Sequence, residues 1–320
     1  MKLLVSGYGE GKDKGLFVCE FSEAGHLTLL EQLSTTGYAT HSEVVGPYWF
    51  VSMKPDGKDT GGIAIFKDGK SLTELLTPGV SYAHLCVDLP YVYAISYHEG
   101  HVTSFRFVDD KLEMISDIIH EGPVVHPHFV GLTLDKKYVY CVELGLDQII
   151  YYSHNEGKLE HAFSIDMDKG SGPRQMLFHK DNHLAYLVTE TANTAQVYQY
   201  KENEMTKLQS LSTVPNDFPG KSHLAAVKIN PKGDALLVTN RGHDSISYYA
   251  INDNGLLELK ERFSCGRTPR DATFVSDCFI VVAAQDSHLL QVFSLEEDGI
   301  HQVEEISVKS PVDITILAEK

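Results

Sequence analysis

The stretch Leu184–Tyr200, LAYLVTETANTAQVYQY, reads as an apolar strand, a polar turn and a second strand. It decides the fold because the chain repeats it. The same plan returns in YVYAISYHEGHVTSFRF (91–107), YVYCVELGLDQIIYYSH (138–154), ALLVTNRGHDSISYYAI (235–251) and FIVVAAQDSHLLQVFSL (279–295). Short strands bounded by Gly, Asp and Asn recur throughout, and no sustained helical period appears, so the chain is all-β.

Marking the residue that closes the first strand of each pair gives Met53, Tyr97, Leu144, Glu190, Arg241 and Gln285, spaced 44, 47, 46, 51 and 44 residues apart. A strand-only period of about 45 is the signature of β-propeller blades, four antiparallel strands each, around a central channel. With the opening LLVSGYGEGKDKGLFVCEF (3–21) the repeat occurs seven times, so a seven-bladed propeller is expected. Near the C-terminus SPVDITIL (310–317) resembles TPRDATF (268–274), which begins a blade, but no strands follow it. It is expected to pair with KLLVSGYG (2–9), closing the ring with strands from both chain ends and removing exposed edges. The longest irregular insert, STVPNDFPGKSH (212–223), accounts for the interval of 51, and no linker interrupts the pattern, so residues 1–320 read as one domain.

The chain of 320 residues carries a formal net charge of -17, which opposes nucleic acid or an anionic membrane as the main partner. Five cysteines, Cys19, Cys86, Cys141, Cys265 and Cys278, are scattered without a CxxC pair, which points to a reducing compartment rather than a disulfide framework or zinc site. The N-terminus is too short in apolar residues for a signal peptide, and no run reaches membrane-spanning length, so a cytoplasmic location is expected. The glycine-rich SGYGEGKDKG (6–15) has no helix after it, which favours a tight turn over a phosphate loop. Neither metal-ligand spacing nor a GxSxG elbow appears, so metal-free, non-covalent chemistry without a cofactor is expected.

In antiparallel blades, the start of each inner strand and the end of the next strand lie on the same rim of the channel. Counting back 15 or 16 residues from the marks places His128, Arg174, Ala225 and Arg270 at inner-strand starts, beside Tyr97, Glu190, Arg241 and Gln285 at neighbouring strand ends. His84, one position further along its strand, joins the same layer. An arginine can open the otherwise buried strand of SGPRQMLFH (171–179) because the strand opens into a solvated funnel, where its charge stays wet or meets an anion. Arginines converging in an acidic protein suit a small anionic molecule, and Glu190 and His128 are the groups able to move a proton near neutral pH. His126 competes with His128 for that role. Arg174 could instead pair with Asp271 or Asp313 to hold blades together, Asp244 could simply shape the RGHDS turn, and PRD (269–271) could satisfy itself locally.

HPH (126–128), GPR (172–174), NRGHDSI (240–246) and GRTPRD (266–271), in this order, resemble the seven-bladed propeller lactonases, a family that includes propeller-type 6-phosphogluconolactonases and the fungal 3-carboxy-cis,cis-muconate lactonizing enzyme. The resemblance covers nearly the whole chain. It implies a site formed by His128, Arg174, Glu190 and Arg241, the same four that the rim spacing selects; His84, Tyr97, Arg270 and Gln285, which the spacing places beside them, are expected to bind substrate. Gln175, Thr189 and Phe129 depart from the family's usual residues at their positions. The implied activity is metal-independent hydrolysis of a sugar lactone, 6-phospho-D-glucono-1,5-lactone above others, with His128 or Glu190 as general base. A muconate-type lactonizing enzyme and a non-catalytic propeller that binds a protein partner are the alternatives.

Overall fold

The computed structural model describes residues 1–11, 14–56, 60–181 and 183–317. Seven four-stranded antiparallel sheets form a ring. Their innermost strands are Tyr38–Val45, Tyr82–Asp88, Pro127–Leu132, Pro173–Phe178, His223–Ile229, Pro269–Phe274 and Pro311–Leu317, which define blades one to seven in that order. In the seventh blade the inner strand Pro311–Leu317 pairs with the N-terminal strand Lys2–Tyr8, with Lys2 opposite Leu317 and Ser6 opposite Asp313. Both chain ends thus close the ring as the sequence predicts. The glycine-rich segment is a hairpin connection, with Tyr8 opposite Lys14; its residues 12 and 13 lie outside the described residues.

The second strand of each blade shows why its sequence is continuously apolar. In Leu184–Thr189 every residue is buried. Leu184, Tyr186 and Val188 pack toward blade five, while Ala185 and Leu187 pack toward blade three. Both faces of the sheet are therefore covered by neighbouring blades, and the core consists of seven such clusters between adjacent blades. Outer strands such as Lys158–Asp166 alternate toward solvent and carry the charged residues.

One irregularity positions the site. Every inner strand shifts register close to its start, leaving Thr40, Ala83, His128, Arg174, Ala225 with Ala226, Arg270 and Val312 unpaired against the neighbouring strand. A β-bulge re-aims the side chain it carries. Repeated around the ring, it turns one residue per blade into the central channel. The residues that follow, His41, His84, Phe129, Gln175, Val227, Asp271 and Asp313, line the channel one layer deeper.

Candidate active site

The channel holds a cavity of about 490 Å³. Of the residues expected at the site, His84, Tyr97, His128, Arg174, Glu190, Arg241 and Arg270 all line it. Gln285 does not. The second strand of blade six ends at Ala284, and Gln285 opens a 3-10 turn whose backbone N–H donates to the Thr268 carbonyl at 3.0 Å. His126 is likewise held outside the lining: its Nδ1 meets the Tyr97 carbonyl oxygen at 3.0 Å and its ring stacks on Tyr97 at 4.3 Å.

Blade four supplies the centre of the site. Gly172 adopts φ +61, where a Cβ would sit 2.6 Å from Thr191 Oγ1, and its carbonyl accepts the Glu190 N–H at 2.6 Å. This turn brings the bulged Arg174 alongside Glu190. Arg174 Nε donates to Glu190 Oε2 at 2.9 Å, and Nη1 donates to the Ala225 carbonyl. Arg241 Nη2 reaches the same Oε2 at 2.8 Å and also donates to the Leu224 carbonyl at 2.9 Å. One carboxylate oxygen thus bridges two guanidinium groups.

Arg174 is only 4% exposed, so its charge is not wet; it is compensated by Glu190. The alternative pairing of Arg174 with Asp271 or Asp313 is not the one formed. Both acids lie in the deeper ring, where Asp271 faces Lys228 at 3.3 Å and Asp313 faces His41 Nδ1 at 2.9 Å. The PRD segment does not satisfy itself: Asp271 accepts from the Ile314 N–H, while Arg270 extends over the Tyr8 ring. Arg241 and Asp244 divide the two readings of RGHDS, with Arg241 in the site and Asp244 accepting from the Gly242 and Thr268 N–H groups.

These contacts set the protonation states. Burial, then the charge of Arg241, pushes the Arg174 guanidinium down to about 9 despite Glu190. Burial alone would raise the Glu190 carboxyl, but Arg174 and then Arg241 outweigh it and hold it below the usual carboxylate range. Burial, then Arg174, Arg270 and Arg241, keeps the His128 imidazole well below the ordinary histidine value. His128 is therefore neutral at pH 7, and its Nδ1 is shielded from solvent without a hydrogen-bond partner among the described residues. Its ring lies edge-on to Tyr97 at 5.5 Å.

Sequence reasoning missed two parts of the cavity. Lys54 and Tyr8 line the same rim as Glu190 and Arg241, ending the second strands of blades one and seven. The strand register places Lys54, not the fully buried Met53, level with Glu190: Met53 opposes Ala39 as Thr189 opposes Pro173. Aligning the ends of VSMK, LVTE and VTNR reveals this. The deeper ring was also missed apart from His84, which the bulge at Ala83 sets in that ring and not in the rim layer where the sequence placed it. There His41 and His84 stack at 3.9 Å, and burial pushes the Glu43 carboxyl up to about 7. Of the departing residues, Gln175 Oε1 accepts the Val227 N–H at 3.0 Å, Thr189 Oγ1 meets Thr194 Oγ1 at 2.7 Å, and the Phe129 ring lies 4.3 Å from His84. Among the described residues, the donor atoms of Glu296, Asp298 and His301 come together with metal-ligand proximity, but all three are exposed and outside the cavity lining.

The cavity is thus an arginine-lined cleft with a neutral imidazole at its wall. A protein of Lactococcus lactis subsp. cremoris is 31% identical over 91% of each chain. The 6-phosphogluconolactonase of Bacillus subtilis is 32% identical over 77% of this chain and 76% of its own. A crystal structure of a protein from Lactobacillus plantarum superposes with a TM-score of 0.92 at 25% identity, covering 99% of both chains. A family profile described as lactonase, 7-bladed beta-propeller, matches residues 2–316. The chain belongs to the seven-bladed β-propeller lactonase family, which places it among the lactone hydrolases.

Proposed function

We propose that the chain is one catalytic domain that hydrolyses 6-phospho-D-glucono-1,5-lactone to 6-phosphogluconate in the cytoplasm. His128 is the observation that carries the reading: a neutral imidazole, flanked by arginines, in a cavity of about 490 Å³. The name of the Bacillus subtilis relative supports the substrate. Five cysteines without disulfides are compatible with a reducing compartment, and among the described residues no helix is long and apolar enough to cross a membrane.

In this reading His128 takes a proton from water as the water oxygen adds to the lactone carbonyl carbon. The resulting oxyanion faces Arg174 and Arg241, whose guanidinium groups each have five donors and retain some beyond those used on Glu190 and backbone carbonyls. Collapse of the tetrahedral intermediate breaks the ring C–O bond, and the protonated His128 returns its proton to the departing alkoxide oxygen. The product acid then ionises and releases a proton to solvent. Glu190 fixes both arginines and takes no proton, because they hold its carboxyl ionised. A strained, labile ester needs only this modest help.

The test is proton release at pH 7 from 6-phospho-D-glucono-1,5-lactone, with a carboxylated muconate as a parallel substrate. Acceleration of lactone opening above the spontaneous rate supports the proposal. Turnover of the muconate alone would replace it with the lactonizing reaction.

A further inference from the structure

The cavity's cations are not equivalent. Arg174 and Arg241 share Glu190 and backbone carbonyls, and Lys228 faces Asp271. Arg270 and Lys54 have no carboxylate partner among the described residues. Both instead approach one aromatic ring: Lys54 Nζ lies 3.6 Å, and Arg270 Cζ 5.4 Å, from the Tyr8 centroid. Two cations gathered on one ring, without an acid, in a protein of net charge -17 is an arrangement that a bound anion would complete. Burial and the charge of Arg270 both lower the Lys54 ammonium against the opposing influence of Tyr8, which marks their mutual repulsion.

Their place in the ring adds direction. His128, Arg174 with Glu190, and Arg241 come from blades three, four and five; Arg270, Tyr8 and Lys54 come from blades six, seven and one. The two groups occupy different arcs of one cavity. A 6-phosphorylated aldonolactone is likewise two-ended, with its reacting carbonyl at C1 and its phosphate on C6. We propose that Arg270 and Lys54, over the Tyr8 ring, form a phosphate subsite adjoining the His128–Arg174–Arg241 arc and select phosphorylated over unphosphorylated lactones. The selection part rests on the lactonase reading above; the anion subsite itself does not.

The experiment compares native protein with Lys54→Met and Arg270→Gln in two assays. The first is the ratio of kcat/KM for 6-phospho-D-glucono-1,5-lactone to that for D-glucono-1,5-lactone. Losing a charge-assisted contact to phosphate is expected to lower this ratio about ten- to a hundredfold in each variant, mainly through KM. General damage to the fold would depress both substrates and leave the ratio unmoved, and an unmoved ratio overturns the proposal. The second assay is calorimetric titration with inorganic phosphate, which needs no turnover. If the native protein opens neither lactone, the functional reading fails, while phosphate binding lost in both variants still upholds the subsite. Absence of phosphate binding to native protein that opens neither lactone, or equal binding in native protein and variants, overturns it.

Discussion

Arg174 and Glu190 stand sixteen residues apart in one blade, the glutamate just past the end of the strand that pairs with the arginine's, and Nε of the arginine donates to Oε2 of the glutamate over 2.9 Å. The arginine is carried on a bulge, and the glutamate follows the strand paired with it, so the contact follows from the blade's hairpin geometry. Glu190 is thereby the counterion that lets an arginine be buried in a core strand.

Replacing Glu190 with Gln leaves Arg174 buried and Arg241 close by with no carboxylate between them. The expected cost is about 2–3 kcal/mol, less than for a fully enclosed pair because 20% of the Glu190 side chain is exposed. A fall in kcat/KM of about a hundredfold should accompany it, since both oxyanion donors lose their fixed position. Urea unfolding and steady-state kinetics on the same preparation check this, and unchanged stability would show that the bridge is dispensable.

In the proposed mechanism the protonation state of His128 fixes the acid side of the pH profile. A base must be unprotonated to act, and burial with three nearby arginines holds this imidazole well below 6.5. Lactone opening is therefore expected to stay level from pH 8 down through pH 6.5 and to decline only below it. A decline centred at 6.5 or higher would assign the base to a differently placed group.

Glu43 gives stability an opposite dependence. Its carboxyl is pushed up to about 7 by burial, from an ordinary value of 4.5, so the folded state binds a proton that the unfolded state releases between those values. The stabilisation from this group is full below pH 4.5 and is lost as pH rises through 7. Glu43→Gln, which can still accept from the Val87 N–H, should be more stable than the native protein at pH 8 by up to about 3 kcal/mol. The difference should vanish near pH 4.5. Thermal unfolding across that range measures it; a constant difference would mean Glu43 stays ionised throughout.

Ring closure is testable by removing the strand from Pro311 onward. Ser6 loses its partner Asp313, the N-terminal strand becomes an open edge, and His41 loses its carboxylate. The truncated chain is expected to lose its cooperative unfolding transition and to aggregate. A monomeric truncation with the native transition would show that the closing strand adds little.

The sequence made the architecture legible because the second strand of each blade is buried on both faces and its apolar run recurs with a steady period. The site was legible where both partners of a hairpin carry chemistry, as with Arg174 and Glu190. It failed by single residues elsewhere. Marking the end of VSM at Met53 put a buried core residue where Lys54 faces the cavity, and extending VVAA to Gln285 ignored the turn that begins there. His41, Glu43 and Lys228 were hidden for a different reason. Within an inner strand a polar residue can face the channel or a neighbouring blade, and alternation alone does not distinguish them before the bulge is known.

The most direct test of the central claim is the initial rate of proton release from 6-phospho-D-glucono-1,5-lactone at pH 7, measured for native protein and His128→Ala in parallel. The account predicts clear acceleration by the native protein and a loss of about a hundredfold or more in a variant that remains folded. Native-like turnover by His128→Ala, or no acceleration by well-folded native protein, would contradict it.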